Sequence, residues 1–389
     1  MAPVYRLTFR LAVFSLPIVL VLAFPAYVMG RAGEFTSTRK VMELQEKNER
    51  PYMICPAYND PWGYIKYKSA QHRGADILAL GSSRVMMLRQ TFFRVPFYNG
   101  ARGVSEMKHF RIFLEALPEK ARPKILLMGL DPNFFNPGWV WSSSFPIYYE
   151  PPRYKEWLLV LGKRWKDVYW DLARGAFELG MLRRQTPGIE RIGLIAKAKN
   201  NGFLNDGSYL YQDFFDARKT EIHAPADESF KEDLENVRMG RDVYVPASEI
   251  SESSLAELER FLAQARRMKV HVIGYVPPYA PAVYKALRLK GQDDAFLGRL
   301  EPVLKPLFKK YGFSFFDFKN PEILSGVDEE FHDGEHDGGE VSARIVKAMA
   351  QKDSLLKKLM APAMPPSDFV PGLGVLASQE TSSERPLYG

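Results

Sequence analysis

Apolar and polar positions first separate between Leu11 and Met29, where no charged residue occurs and Leu, Val, Ile, Phe and Ala dominate. A run of this length predicts a helix able to cross a bilayer. Pro17 and Pro25 fall inside it, and prolines are tolerated in such spans. Residues 31–72 turn polar, contain Pro51, Pro56 and Pro61, and read as an extended connector. Beyond them, two patterns alternate. Short apolar runs at Asp76–Leu80, Val95–Tyr98, Lys124–Leu130, Val270–Val276 and Phe313–Phe318 predict buried strands. Helical spacing predicts helices over Ser105–Leu117, Ser254–Met268, Leu297–Tyr311 and Glu340–Met349, with Ser105 as an N-cap. Strands and helices in this order predict an α/β fold, a parallel sheet with helices on both faces. Its strand C-termini share one edge, where ligands bind.

Residues 135–247 interrupt the alternation. They are rich in Trp and Tyr, have helical periodicity around Tyr154–Leu182, and read as an inserted cap subdomain. From Ala361 the chain holds five prolines among Ser, Gly and Glu and reads as a disordered tail. The expected layout is therefore an anchor over 1–30, a connector over 31–72, an α/β domain over 73–360 and a tail over 361–389.

Composition narrows this picture without redrawing it. A hydrophobic fraction of 46% with 25% charged residues belongs to a globular chain. The net charge of +7 is spread over mixed signs with no like-charge block, which gives no support to nucleic-acid binding. Cys55 is the single cysteine, so an internal disulfide and a Cys-based zinc site are excluded, while the compartment stays open. Arg6 and Arg10 precede the apolar run and Arg31, Arg39 and Lys40 follow it, so charge sets no orientation. A cleavable signal peptide, with Val28 and Gly30 as the small residues before a cut, competes with an uncleaved anchor. The run exceeds the usual signal core and favours the anchor.

Three loops at predicted strand ends carry candidate chemistry. Gly81-Ser82-Ser83-Arg84 follows the first strand and places a serine at the open sheet edge, near backbone N–H groups that can hold an oxyanion. Asn99-Gly100-Ala101-Arg102-Gly103 follows the second strand, and its glycines let backbone approach a ligand. Asp333-Gly334-Glu335-His336 precedes the last helix. There an Asp three residues before a His can orient the imidazole that takes a serine proton. A metal site built on His332 and His336 is disfavoured by the glycines around them.

Taken together, these blocks resemble the SGNH/GDSL hydrolase superfamily, and within it the membrane-anchored Gly-Ser-Ser members similar to the teichoic-acid D-alanylation and alginate acetylation proteins. The resemblance covers about residues 75–135 and 265–350. It implies a three-layer, flavodoxin-like sheet with Ser83 as nucleophile, His336 as base and Asp333 as the orienting acid. Ser82 stands where many members have Asp. Gly100 or Gly103 matches the glycine of the oxyanion hole. The third block reads Gly129-Leu130-Asp131-Pro132, so the family's Asn is missing from its position, with Asn133 as the candidate substitute in the same loop. Arg84 is a candidate for an anionic substrate group or for an ion pair with the protein's own acids.

The resemblance also implies a setting: an inner-membrane anchor, a periplasmic domain, a carbohydrate or cell-envelope polymer substrate and a membrane-bound O-acyltransferase as partner. The expected activity is a serine esterase or O-acyltransferase that needs no metal or organic cofactor. A non-catalytic scaffold with the same fold is the alternative.

Overall fold

The computed structural model describes residues 2–47, 50–139, 156–183, 188–211, 224–364, 369–370 and 374–375. The chain forms two compact units, Met1–Pro61 with Pro151–Phe203, and Trp62–Glu150 with Leu204–Gly389. The expected cap is thereby divided. Its part Pro151–Phe203 belongs with the N-terminal helix, and the parts before and after it belong with the sheet. Most of the expected tail lies outside the described residues.

In the first unit α1 (Ala2–Ala32) is long and apolar enough over Val4–Ala32 to cross a membrane. Those 29 residues rise about 43 Å at ~1.5 Å each, against a hydrocarbon core of about 30 Å. Along its N-terminal part the apolar side chains are exposed, Phe14 by 82%. Its last turns are different. Val28, Met29 and Ala32 are fully buried against Val160 and Val168 of α5 (Glu156–Ala173), and against Phe177, Met181 and Leu182.

Pro25 has no N–H to give the Val21 carbonyl four residues earlier. The Tyr169 hydroxyl of α5 donates to that carbonyl instead at 2.6 Å, with its ring stacked on Phe24. Just past α1, the buried Glu34 carboxylate accepts the N–H groups of Ala57, Tyr58 and Leu194, the last at the start of α6 (Leu194–Lys199). Burial pushes this carboxyl up despite those bonds. β1 (Tyr52–Ile54) pairs in parallel with β5 (Glu190–Ile192) and antiparallel with β6 (Asn201–Phe203).

The expected extended connector is largely helical. α2 (Thr38–Lys47) buries Thr38, Val41 and Gln45, and α3 (Trp62–Arg73), in the second unit, buries Trp62, Ile65, Lys66, Ser69 and Ala70. Both sets follow the three-and-four spacing of one helix face. Polar members of those faces, Gln45, Lys66 and Ser69, hide the periodicity from a count of apolar residues.

The second unit is built on a five-stranded sheet in the order β3-β2-β4-β8-β9, with every neighbouring pair parallel. These strands are β2 (Ile77–Leu80), β3 (Phe97–Asn99), β4 (Ile125–Gly129), β8 (His271–Val276) and β9 (Ser314–Asp317). Each falls within one of the predicted runs, or one residue beyond it.

On one face, Leu78, Leu80, Leu126, Met128, Val272 and Val276 pack with Phe110 and Phe113 of α4 (Met107–Glu115) and with Leu258 and Phe261 of α8 (Glu252–Arg267). Their alternates Ile77, Ala79, Ile125, Leu127 and Ile273 are fully buried on the other face. A sheet covered on both sides explains why the strands read as unbroken apolar runs. α4 starts later than expected. Glu106 is its cap residue, and the Ser105 hydroxyl meets His109 Nδ1 at 3.0 Å. The chain winds from β2 outward to β3, then returns past β2 to β4. The reversal leaves a crevice beyond the C-terminal end of β2.

Gly129 closes β4 beside that crevice, and a Cβ added there would overlap the Val85 side chain. Val85 is buried, so it cannot swing aside freely. Gly129→Ala is expected to destabilise the fold by about 1–3 kcal/mol, the usual cost of overpacking. A urea-melt midpoint equal to that of the parent protein would refute this.

Candidate active site

The site starts from a short turn. β2 ends at Leu80, Ser82 is extended, and Ser83–Val85 forms a single 3-10 turn closed by Met86 N–H to Ser83 O at 3.0 Å. The Ser82 hydroxyl accepts the Arg84 N–H at 3.1 Å. First-turn N–H groups have no partner within their own helix. The Ser83 N–H has no acceptor among the described residues.

Residues 85–88 are held by Asn99 at the end of β3. Its amide nitrogen donates to Val85 O at 2.8 Å, Met86 O at 3.2 Å and Leu88 O at 2.8 Å, and its oxygen accepts Ala101 N–H at 2.8 Å. The fully buried Lys66 ammonium donates to Asn99 O and Gly207 O, between the rings of Trp62 and Tyr98. Burial pushes that ammonium well down from its ordinary value.

The histidine sits at the tip of a small hairpin. Phe331 and Asp337 bridge antiparallel, and His332 N–H donates to His336 O at 2.8 Å. Within the tip, Asp333 Oδ1 accepts the N–H groups of Glu335 and His336 at 2.9 and 2.8 Å. The His336 ring Nδ1 lies 2.7 Å from Asp333 Oδ2, and its Nε2 lies 2.7 Å from Ser83 Oγ. With the Nδ1 proton directed at the carboxylate, Nε2 holds a lone pair toward the serine hydroxyl.

Burial alone would push the imidazole down, but the Asp333 charge outweighs it, and His336 is pushed up to about 9. Burial would likewise raise Asp333, yet the His336 charge and the hairpin N–H bonds hold it well below the usual carboxylate range. Glu335 next door is raised to about 7 by burial, against the opposing charges of His336 and Arg84.

Arg84 joins the two segments. Its guanidinium donates to Glu335 O at 3.1 Å, Pro277 O at 3.0 Å and Pro278 O at 2.8 Å, and lies 4.4 Å from the Tyr279 ring centre. At 4% exposure it presents no charge to a ligand. Asp131, also buried, lies within electrostatic reach of Arg84. Burial raises its carboxyl, and one of its oxygens has no hydrogen-bond partner among the described residues.

The structure therefore brings Ser83, His336, Asp333, Arg84 and Asp131 together, with Arg84 committed to main-chain carbonyls. The glycines and the asparagine are placed otherwise. Gly100 N–H donates to Ala79 O at 2.7 Å and Gly103 N–H to Gly100 O at 3.0 Å, so both amides close their own turn. A Cβ at Gly103 would sit 2.7 Å from Gly100 O, which makes close packing the reason for that glycine. Asn133 lines a separate cavity of 410 Å³ with Ser105, Asn136, Trp139 and Ser254, and none of Ser83, His336 and Asp333 lines it. Of the backbone oxyanion donors expected from the sequence, the Ser83 N–H is the one left uncommitted among the described residues.

Asp233, on α7 (Ala224–Met239), accepts the Gly334 N–H at 2.7 Å and steadies the hairpin tip. No spacing rule links two residues a hundred positions apart, so the sequence carries no signal for it. Among the described residues no group of three or more His, Cys, Asp and Glu side chains is arranged to hold a metal ion. No protein-family model matches the chain, and no curated protein matches it in sequence.

Because His336 binds its proton more tightly when folded than its ordinary 6.5, the stabilisation from its pairing is complete below about 6.5. It is lost as pH rises through about 9. In Asp333→Asn the imidazole is expected to titrate near or below 6.5 by NMR. A midpoint still near 9 would exclude Asp333 as the cause.

Proposed function

We propose that the protein is a serine-dependent acyl esterase or O-acyltransferase, of the SGNH/GDSL type, whose catalytic triad is Ser83, His336 and Asp333. One observation carries this reading: His336 bridges Ser83 Oγ and the Asp333 carboxylate with two contacts of 2.7 Å. In the proposed reaction Ser83 Oγ bonds to the acyl carbon while its proton passes to His336 Nε2. Asp333 stabilises the imidazolium that forms. The tetrahedral oxyanion is held by the Ser83 N–H, and a donor of this kind is worth roughly 10²–10³ in rate. Collapse of the intermediate expels the alcohol, which takes the proton from Nε2. Water or a sugar hydroxyl then resolves the acyl-enzyme by the same proton path in reverse.

The acceptor in this proposal is a carbohydrate or cell-envelope polymer outside the cytoplasm, worked beside a membrane-bound O-acyltransferase. Support comes from the motif resemblance and from the exposed apolar surface of α1, which water would not tolerate as a free helix. A non-catalytic scaffold is the second reading. It is favoured by the engaged amides of Gly100 and Gly103 and by Asn133 lying in its own cavity.

Ser83→Ala is expected to lose hydrolysis of a short-chain aryl ester by roughly a thousandfold or more with the fold retained. In the parent protein the rate should rise with pH as His336, pushed up to about 9, gives up its proton. Fluorophosphonate labelling at Ser82, or full activity in Ser83→Ala, would remove the assignment.

For the setting, α1 is proposed as an uncleaved inner-membrane anchor with the α/β unit in the periplasm. An enzymatic reporter that works only in the cytoplasm, fused after Gly389, should stay dark. A signal from it would reverse this topology.

A further inference from the structure

A cavity of 440 Å³ opens in the first unit where α1 ends. Its wall carries Arg31, Lys40, Arg50, Arg191 and Lys197 against one carboxylate, Glu190. That carboxylate is already paired with Arg50 at 2.5 Å. Arg31 and Lys197 form no ion pair among the described residues. Lys197 is half-buried, and its ammonium is pushed down first by burial and then by the charges of Arg31 and Arg191. Arg31, Lys40 and Arg50 are exposed while Arg191 and Lys197 are partly buried, so the five cations repel one another around one small space and Lys197 also loses hydration there.

The last carbonyls of α1 can offset a single nearby cation such as Arg31, since a helix terminus carries only about half a unit charge. An anion in the cavity would relieve the repulsion that remains. Arg31 supplies a planar fork matched to the oxygens of phosphate, Lys40 and Lys197 supply point charges, and Thr36 adds a hydroxyl to the wall. Position points the same way. The cavity begins at Gly30 on the last turn of the apolar helix, beside the buried residues Val28 and Met29. In the same unit, α5 exposes Trp157 beside Leu158 and Leu159, and tryptophan settles at the depth of lipid headgroups.

We propose that this cavity binds a phosphate group, presented by the headgroup of an anionic phospholipid at the end of the α1 span. The lipid source rests on reading α1 as a membrane helix; the phosphate chemistry of the cavity does not.

The test uses the full chain. In phosphatidylcholine nanodiscs, adding phosphatidylglycerol should raise the thermal midpoint by about 3 °C or more, and native mass spectra should retain bound phosphatidylglycerol. Arg31→Gln with Lys197→Gln should abolish both effects, whereas Arg31→Lys should keep them. Lys40→Gln, at an exposed position on α2, gives a weaker loss without risk to the fold.

A second arm adds inorganic phosphate at about 10 mM to protein in detergent without phospholipid. A response to phosphatidylglycerol alone makes the lipid the source, and a response to both shows that free phosphate also fills the site. No response in either arm, or a response that survives the double substitution, overturns the proposal. Should the chain stay soluble without detergent and fail to enter nanodiscs, the membrane reading falls, and the phosphate arm in plain buffer still decides the cavity.

Discussion

A buried guanidinium next to the serine is the constraint on which the site depends. Ser83 and His336 are 253 residues apart, and a contact of 2.7 Å between them tolerates little drift in either backbone. Arg84 removes that drift by donating to carbonyls on both sides, Pro277 and Pro278 after β8 and Glu335 in the hairpin. Burying such a charge is costly unless its hydrogen bonds are met and an opposite charge is near. Three carbonyls, the Tyr279 ring and the Asp131 carboxylate meet that demand. The neutral shape of an asparagine or glutamine could fill the space but could not reach two loops with a planar fork.

Around this link the two segments are stiffened by local means. Asn99 fastens the chain after the serine, and Asp333 gathers two N–H groups of its own hairpin before it meets the imidazole. The protein's own hydrogen bonds thus fix both segments, the arrangement that spares a reaction its reorganisation cost. In the other unit the same economy applies to α1. Pro25 strips the Val21 carbonyl of its helical partner, and Tyr169 replaces that partner from α5.

Much of this is legible in the sequence. Strands buried on both faces give unbroken apolar runs, so β2, β4 and β8 could be read nearly to the residue. Asp333 and His336 share a tetrapeptide, which let their pairing be read from spacing. What escaped was polar and long-range. α2 and α3 bury Gln45, Lys66 and Ser69, which a hydrophobic pattern scores as surface. Gly100 and Gly103 look like amides free for an oxyanion, yet their N–H groups close a turn whose partners lie only in three dimensions. Asn133 follows Asp131 by two residues in the 3-10 turn Pro132–Phe135 and lines a cavity that does not include Asp131.

The bond from Asp233 to the Gly334 N–H bears on how far this chain could be trimmed. Residues 224–239 belong to a long insertion between β4 and β8, and on a fold diagram they look expendable. Their carboxylate nevertheless satisfies an amide at the hairpin tip, one residue from Asp333 and two from His336. Excision of that helix would hand the amide to solvent and free the tip to rotate. The smallest autonomous version of the α/β unit is therefore not the bare sheet with its crossover helices. A length of inserted chain has become part of the machinery it interrupts.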